Sequence, residues 1–241
     1  VTARPSYHYE SLGGYHGAKL RRYQDFLDHI LRDASGRINV SALRMANVRY
    51  VASRQAMPGM EAVHVDDQTG FTVFRVRDDL PRAWLVDEVR VVNGAQAQWE
   101  ALTEPSFDPA RTVILAEDPG LPPATADSAA TRLVTRTSYA AEEATWIVET
   151  DRPRILVVSE VFYPAGWTAT VDGEPATIVP ANYAFRAVEV PAGRHEVSMR
   201  FEPPVRRLAV WMTGLATLLV YGTIILLLVA TGIRARPSDK S

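Results

Sequence analysis

The sequence has 241 residues, of which 26 are Lys or Arg and 28 are Asp or Glu, so its formal net charge is −2. A chain without a basic excess neutralises few phosphates, which argues against a nucleic-acid-binding protein. Its hydrophobic content of 47% is enough for a folded core, and the absence of cysteine excludes disulfide bonds and cysteine-based zinc sites.

The N-terminal part, residues 1–116, is predicted to be a mixed α/β portion. Apolar residues recur every three or four positions from about Ala18 to Arg32, which predicts an amphipathic helix. A second short helix is expected from Asn39 to Asn47, with Asn39 or Ser41 as its cap. Val-rich, partly alternating segments then predict strands, and one further helix at 95–102 is expected between the last two of them; the strand segments are 48–52, 61–67, 70–78, 83–92 and 113–116.

Aromatic and cationic side chains are concentrated before and within the first predicted helix. On a helix that begins near residue 18, Lys19, Arg22 and Tyr23 share one face. Aromatic faces suit sugar rings and cations suit phosphate. The candidate substrate-binding residues of this segment are therefore Tyr15, His16, Lys19, Arg22 and Tyr23. The alternative is that the tyrosines pack against the sheet and hold no ligand.

The C-terminal half is predicted to be an antiparallel β-sandwich over residues 131–205. Residues 117–130 are rich in Pro, Ala and Asp and predict an exposed linker before it. About seven short strands follow at roughly ten-residue spacing. Asp172-Gly173 is a hairpin signal, because both residues accept positive φ. Trp167 opens a strand and is expected to pack in or at the edge of the sandwich, with a sugar-stacking role as its alternative.

The end of the chain is predicted to cross a membrane. No charged residue occurs from Leu208 to Ile233, and a helix of about 26 residues, roughly 39 Å long, exceeds the roughly 30 Å of bilayer hydrocarbon. The prediction is one transmembrane helix at 208–233 and a tail at 234–241. Basic residues lie on both sides of the span, and the positive-inside rule slightly favours a cytoplasmic tail.

The sequence contains no pattern for catalysis or metal binding. Its five histidines form no His-Glu-x-x-His motif, no pair has metal-binding helical spacing, and no Gly-x-Ser-x-Gly elbow occurs. Asp25, Asp28 and His29 share the first helix with several arginines and are expected to form a solvated face. We therefore predict an α+β, mainly β chain with no catalytic residue, metal or cofactor of its own.

Several motifs resemble the C-terminal region of the bacterial YfhO-like membrane proteins. The more specific part of the resemblance lies in the second half of the chain, in the order and spacing of Tyr163-Pro164, Gly166-Trp167, Val171-Asp172-Gly173, Asn182-Tyr183-Ala184 and Pro191-Ala192-Gly193-Arg194-His195. Further matching segments are 13–24, 47–51 and 80–86. The resemblance spans nearly the whole chain, including the final apolar segment.

The resemblance implies a function at the outer face of the bacterial cytoplasmic membrane. The family is similar to polytopic GT-C-like glycosyltransferases, which take sugars from polyprenyl-phosphate donors, and some members are implicated in decorating cell-envelope polymers. It implies that residues 1–207 are extracytoplasmic and the tail cytoplasmic. The implied partners are the lipid bilayer, upstream transmembrane helices, a lipid-linked sugar and an envelope glycopolymer.

Two other functions remain open on the sequence alone. In such enzymes the catalytic acidic residue lies in an early extracytoplasmic loop, so no catalytic residue is carried over to this chain, which begins at Val1 without Met and is expected to be part of a longer protein. The first alternative is a non-catalytic, membrane-anchored β-sandwich that binds glycan or protein or gives structural support. The second is a free-standing enzyme with a tail anchor, which lacks a visible acid–base constellation.

Overall fold

The computed structural model describes residues 11–12, 20–32, 35–120, 131–203 and 205–234. The helices of this part are α1 (Arg21–Asp25), which continues as a π-helical turn (Phe26–Ile30), α2 (Val40–Met45), α3 (Ala95–Thr103) and α4 (Val205–Arg234). The strands are β1 (Tyr50–Ser53), β2 (Glu61–Asp66), β3 (Phe71–Arg75), β4 (Ala83–Val86), β5 (Glu88–Val91), β6 (Thr112–Leu115), β7 (Arg132–Ala140), β8 (Glu143–Thr150), β9 (Arg154–Val161), β10 (Trp167–Val171), β11 (Glu174–Ala176), β12 (Val179–Ala181), β13 (Phe185–Val190) and β14 (Gly193–Phe201).

Two sheets form a β-sandwich, as predicted. The first has five antiparallel strands in the order β11-β10-β14-β8-β7. The second has six strands in the order β4-β9-β13-β12-β6-β5. Its neighbours are antiparallel except for β5 and β6, which run parallel because α3 connects them in a crossover.

The core of the sandwich comes from alternate residues of both sheets. In β8 the side chains alternate strictly between buried and half-buried positions, the period of two expected of a strand with one face in a core. The residues that meet between the sheets are Ala144, Trp146, Val148, Ala169, Val197 and Met199 from the first sheet and Ala83, Leu85, Leu156, Val158, Val188 and Val190 from the second.

The helices pack together against Ile114 of β6 and Phe185 of β13 in the six-stranded sheet. Phe26 and Ile30 of the first helical segment are fully buried there, with the Phe26 ring edge-on to Phe185 at 5.1 Å between ring centres. The predicted cap of the second helix is confirmed, because Asn39 Oδ1 accepts from the backbone N–H groups of Ser41 and Ala42. The Asn39 side-chain amide also donates to carbonyls of the first helix and α3, which ties the three helices together.

Three local predictions are changed by the structure. One of the about seven short strands expected after residue 131 was the segment 175–181, which is instead divided between β11 and β12 in different sheets. The predicted linker at 117–130 does not divide the sheets either, because β4, β5 and β6 lie before it and share a sheet with β9, β12 and β13. The first predicted helix begins at Arg21 rather than near residue 18.

A small sheet stands apart from the sandwich in the order β1-β3-β2. Its strand β2 is exposed at every position except its last. Phe74 of β3 is buried, so one side of this sheet is covered while most of its other residues remain accessible.

The last described element is the long apolar helix α4, which confirms the predicted C-terminal helix. Within it, Ala209–Val229 has a mean hydropathy of 2.2 and is long enough to cross a membrane, and it is the only such helix in the part of the chain that the structure describes. None of this segment is buried against the rest of the protein. A helix that is apolar all round and is not buried by the rest of the described chain requires an apolar surrounding, which a bilayer provides.

Candidate functional site

The end of the sandwich next to α4 carries the candidate site. Strand β14 ends at Phe201 and α4 begins at Val205. Trp167, the first residue of β10, pairs with Phe201, and Val161, the last residue of β9, pairs with Phe185 at the start of β13. The first or last residues of four strands, two from each sheet, therefore lie at this end of the sandwich. We call it the α4-proximal end.

The loop of residues 162–166 is held from two sides at this end. On one side, the Phe162 N–H donates to the carbonyl of Ala184 at 2.7 Å. On the other, the Gly166 carbonyl accepts from the N–H of Glu202 at 2.6 Å, immediately before the membrane helix. Gly166 has φ of +99°, and an added Cβ would lie 2.9 Å from the Phe201 ring and from Cα of Pro203, so the close approach needs glycine.

An aromatic cleft lies between this loop and the edge of the sandwich. Its volume is about 280 Å³, close to the lower limit of about 300 Å³ for small-molecule sites. The lining is apolar and aromatic, with two residues that carry hydroxyl groups; its residues are Phe162, Tyr163, Pro164, Trp167, Thr168, Ala169, Pro175, Ala176 and Ile178. Such a surface suits the face of a sugar ring or an apolar chain.

Trp167, a predicted site residue, lies between the core and the cleft. It is half-buried, packs against the core, and has its ring centre 5.3 Å from that of Phe201. The guanidinium of Arg186 stacks on the Trp167 ring, with 3.6 Å between its central carbon and the ring centre. Trp167 therefore packs at the sandwich edge and also contributes to the cleft wall.

Arg186 is a buried cation that sequence reasoning missed. It is 5% exposed, and its Nε donates to the Val161 carbonyl at 3.0 Å. Burial lowers the pKa of Arg186 to about 10, against the opposing charge of Glu160, so the side chain stays cationic at neutral pH. A signal was available: in β13, Arg186 alternates with Val188 and Val190, which face the core.

Arg22, another predicted site residue, joins the first helix to the same end. Its Nη1 donates to the carbonyl of Tyr183 at 2.8 Å. Its guanidinium carbon lies 5.5 Å from the ring centre of Phe162 and 5.3 Å from that of Tyr183. Arg22 thus contacts the cleft loop through Phe162, and contacts of this kind contribute about 0.5–1 kcal/mol at exposed sites.

The turn between β12 and β13 presents Tyr183 to the helix. Asn182 and Tyr183 both have positive φ, of 45° and 66°, and Asn182 Oδ1 accepts from the Ile114 N–H. The Tyr183 hydroxyl donates to Asp25 at 2.5 Å. Burial and the neighbouring Asp25 carboxylate raise the pKa of Tyr183. The prediction that Asp25, Asp28 and His29 form a solvated face is therefore correct only in part. Asp28 and His29 are exposed, but Asp25 is half-buried and binds the Tyr183 hydroxyl.

Tyr23 does not line the cleft and is largely engaged within the chain. Its hydroxyl donates to the Leu12 carbonyl at 2.9 Å, its ring is stacked with Phe26, and burial raises its pKa. The other predicted residues of this group, Tyr15, His16 and Lys19, lie outside the described residues. Of the predicted set, the structure therefore brings Arg22 and Trp167 to the α4-proximal end.

The opposite end of the sandwich holds a histidine–carboxylate pair that links two turns. The predicted Asp172-Gly173 hairpin is confirmed, with φ of 53° and 84°. His195 Nδ1 lies 2.7 Å from Asp172 Oδ2, and Asp172 Oδ1 accepts from the Glu196 N–H. Their hydrogen bond raises the pKa of His195 and lowers that of Asp172. In the described residues no group of three His, Asp or Glu side chains is arranged to hold a metal.

These features define a membrane-associated protein: a β-sandwich whose last strand leads into an apolar helix, with an aromatic cleft at the same end. Residues 122–213 match the family described as bacterial membrane protein YfhO. The match covers the strands from β7 onward and the first turns of α4, and together with that helix it fits a YfhO-like fragment. No curated protein and no solved structure gave a match.

Proposed function

We propose that this chain is the extracytoplasmic domain of a polytopic, GT-C-like glycosyltransferase of the bacterial cytoplasmic membrane. The enzyme transfers a sugar from a polyprenyl-phosphate donor to a cell-envelope polymer, and this domain contributes binding rather than catalysis. Residues 1–207 lie outside the cytoplasm and the tail inside. The observation that carries the proposal is the aromatic cleft at the α4-proximal end, because a lipid-linked sugar is confined to the membrane surface.

The cleft and the cations near the start of the first helix suit the two halves of such a substrate. Tyr163 and Trp167 offer aromatic surface for a sugar ring. Arg22 lies beside the cleft loop through its contact with Phe162, and Lys19 precedes it by three positions. A charge-assisted hydrogen bond from such a cation to a phosphate stabilises a complex by about 1.5–3 kcal/mol. The upstream transmembrane helices of the same protein would supply the catalytic carboxylate.

A specific observation favours a second candidate, a non-catalytic module for structural support or glycan and protein binding. Arg22 donates to the Tyr183 carbonyl, and Tyr23 donates to the Leu12 carbonyl. Both side chains thus have partners within the chain, as expected of packing residues. In this case the α4-proximal end would stabilise the membrane part of the protein without contacting the substrate.

Substitution of an exposed cleft residue separates the two candidates. We expect Tyr163→Ala in the intact protein to lower sugar incorporation into the envelope polymer about two- to tenfold, because a lost aromatic contact costs about 0.5–1.5 kcal/mol. Tyr163 is 39% exposed, so its loss should leave the domain folded. Tyr50→Ala is the matched control, since Tyr50 is 53% exposed on the small sheet.

The same assay tests the cations. Arg22→Ala and Lys19→Ala should each lower incorporation roughly ten- to a hundredfold at unchanged membrane levels of the protein. Immunoblots of membrane fractions give the protein level for each variant. Wild-type incorporation in Tyr163→Ala and in both cation variants would contradict the proposal, and so would losses that only follow the amount of protein.

A further inference from the structure

The exposed side of the cleft loop has no covering element in the described residues. Tyr163 is 39% exposed, and Pro164 and Ala165 after it are also exposed. The Tyr163 ring lies 6.4 Å from that of Phe201, which in turn contacts Trp167. The loop therefore presents an aromatic surface on a firmly packed base.

The loop is fixed to the entry of the membrane helix. The carbonyl of Gly166 accepts from the Glu202 N–H, and the close approach of Gly166 to Pro203 leaves no room for a side chain. The base of the loop and the last residues before α4 consequently form one unit. The place at which the chain enters the bilayer therefore also determines where the loop lies.

Chain length limits how far the loop can lie from the bilayer. Pro203 and Val205 are two residues apart, which spans at most about 7 Å. The helical residues from Val205 to the start of the apolar span at Ala209 add about 6 Å. Pro203 is thus at most about 13 Å from the hydrocarbon. The headgroup layer is itself about 5–8 Å thick, so Pro203 lies within this layer or shortly above it.

The charges around this end do not oppose such a contact. Arg200, next to Phe201, has Nη2 3.2 Å from Glu143 and Nη1 3.5 Å from Glu202. Arg200 therefore offsets one of the two negative charges of Glu143 and Glu202. The sequence continues with Arg206 and Arg207, and basic residues next to a membrane span generally favour anionic headgroups.

We propose that loop 162–166 rests on the lipid headgroup layer of the bilayer that α4 crosses, with Tyr163, Pro164 and Ala165 as the contact. Tyrosine is suited to this layer because its ring is apolar and its hydroxyl is hydrated. The contact fixes the tilt of the sandwich and keeps the mouth of the cleft at the membrane surface. It holds whether or not the protein transfers sugar.

Spin labels at two matched alanines test the contact. The chain has no cysteine, so Ala165→Cys and Ala192→Cys each give one labelling site. Both alanines are exposed, and Ala192 lies in the turn before β14, at the opposite end of the strand from Phe201. The labelled protein is placed in nanodiscs that contain phosphatidylglycerol, and the accessibility of each label to oxygen and to a water-soluble nickel complex is measured.

We expect a several-fold higher ratio of oxygen to nickel accessibility at residue 165 than at residue 192, because oxygen concentrates in lipid and the nickel complex stays in water. Equal ratios at the two positions would overturn the proposal. Protection of residue 165 from both reagents would also overturn it, because the loop would then be covered by protein. Neither result bears on the proposed sugar transfer, which the incorporation assay tests separately.

Discussion

Replacing Gly166 by alanine should destabilise the protein much more than the same change at Gly173. Both glycines have positive φ, of +99° and +84°, which costs a side-chain-bearing residue about 1–2 kcal/mol. Only Gly166 also has neighbours, since its added Cβ would lie 2.9 Å from a ring carbon of Phe201 and from Cα of Pro203. Overpacking of this kind adds about 1–3 kcal/mol.

We therefore expect Gly166→Ala to lower the free energy of unfolding by about 2–5 kcal/mol and Gly173→Ala by about 1–2 kcal/mol. Urea unfolding in detergent, followed by tryptophan fluorescence, measures both. Equal losses for the two variants would show that the loop does not pack tightly against the chain leading into α4. That result would also remove the structural basis for placing the cleft next to the membrane.

Arg154→Met should cause the other large loss of stability. Arg154 is 1% exposed, and its guanidinium donates to Asp87 at 2.9 Å and to Asp151 at 2.6 Å. It also donates to the hydroxyl of Thr150. Asp87 keeps its ion pairs with Arg132 and Arg152, so the loss should be smaller than for an uncompensated buried charge and close to the cost of buried hydrogen-bonding groups left without partners, about 1–3 kcal/mol. We expect a loss of this size, measured by the same unfolding experiment.

Arg200→Met is the control, because Arg200 pairs with Glu143 and Glu202 on the surface and its loss should be barely detectable.

The pH dependence of stability gives a second readout, through the Asp87 carboxyl. Burial opposes its ionisation, but the hydrogen bonds and charges of neighbouring arginines, Arg154 among them, hold its pKa below the ordinary value. Its stabilisation is therefore present above about pH 4 and is lost as the pH falls through the folded-state pKa.

Arg154→Met should consequently weaken the dependence of stability on acid pH as well as stability itself. If Arg154→Met and Arg200→Met gave the same unfolding curves at neutral pH, the buried ion-pair network would have no role in stability. The network ties β9 to the segment between β4 and β5. The Arg154→Met variant therefore also tests whether the N-terminal strands are integral to the sandwich.

Local sequence signals predicted the elements of the sandwich well. The alternation of β8 and the Asp172-Gly173 turn each depend on a few neighbouring residues, and so does the Asn39 cap, and all three are present. The apolar helix was equally predictable, because a long uncharged run has few other stable solutions. These features are set by the backbone and by solvent, with little influence from distant residues.

Which strands share a sheet, and which residues meet at the site, depends on contacts between residues far apart in the sequence. These features were therefore not predictable from local signals. The pairing of β4 with β9 joins residues about 70 positions apart, which no local period encodes. Arg22 was singled out, but its partner Tyr183 is 161 positions away. The cleft required the loop after β9 to pack against the end of β14, and only the folded chain shows that approach.

The most direct test of the account is the side of the membrane on which the sandwich lies, because a donor linked to polyprenyl phosphate is used outside the cytoplasm. Ala192→Cys and Ser241→Cys place one thiol on the exposed turn before β14 and one at the end of the tail. Intact cells are treated with a membrane-impermeant maleimide, with and without permeabilisation. The account predicts labelling of residue 192 in intact cells and of residue 241 only after permeabilisation; the reverse pattern, or labelling of both in intact cells, would contradict it.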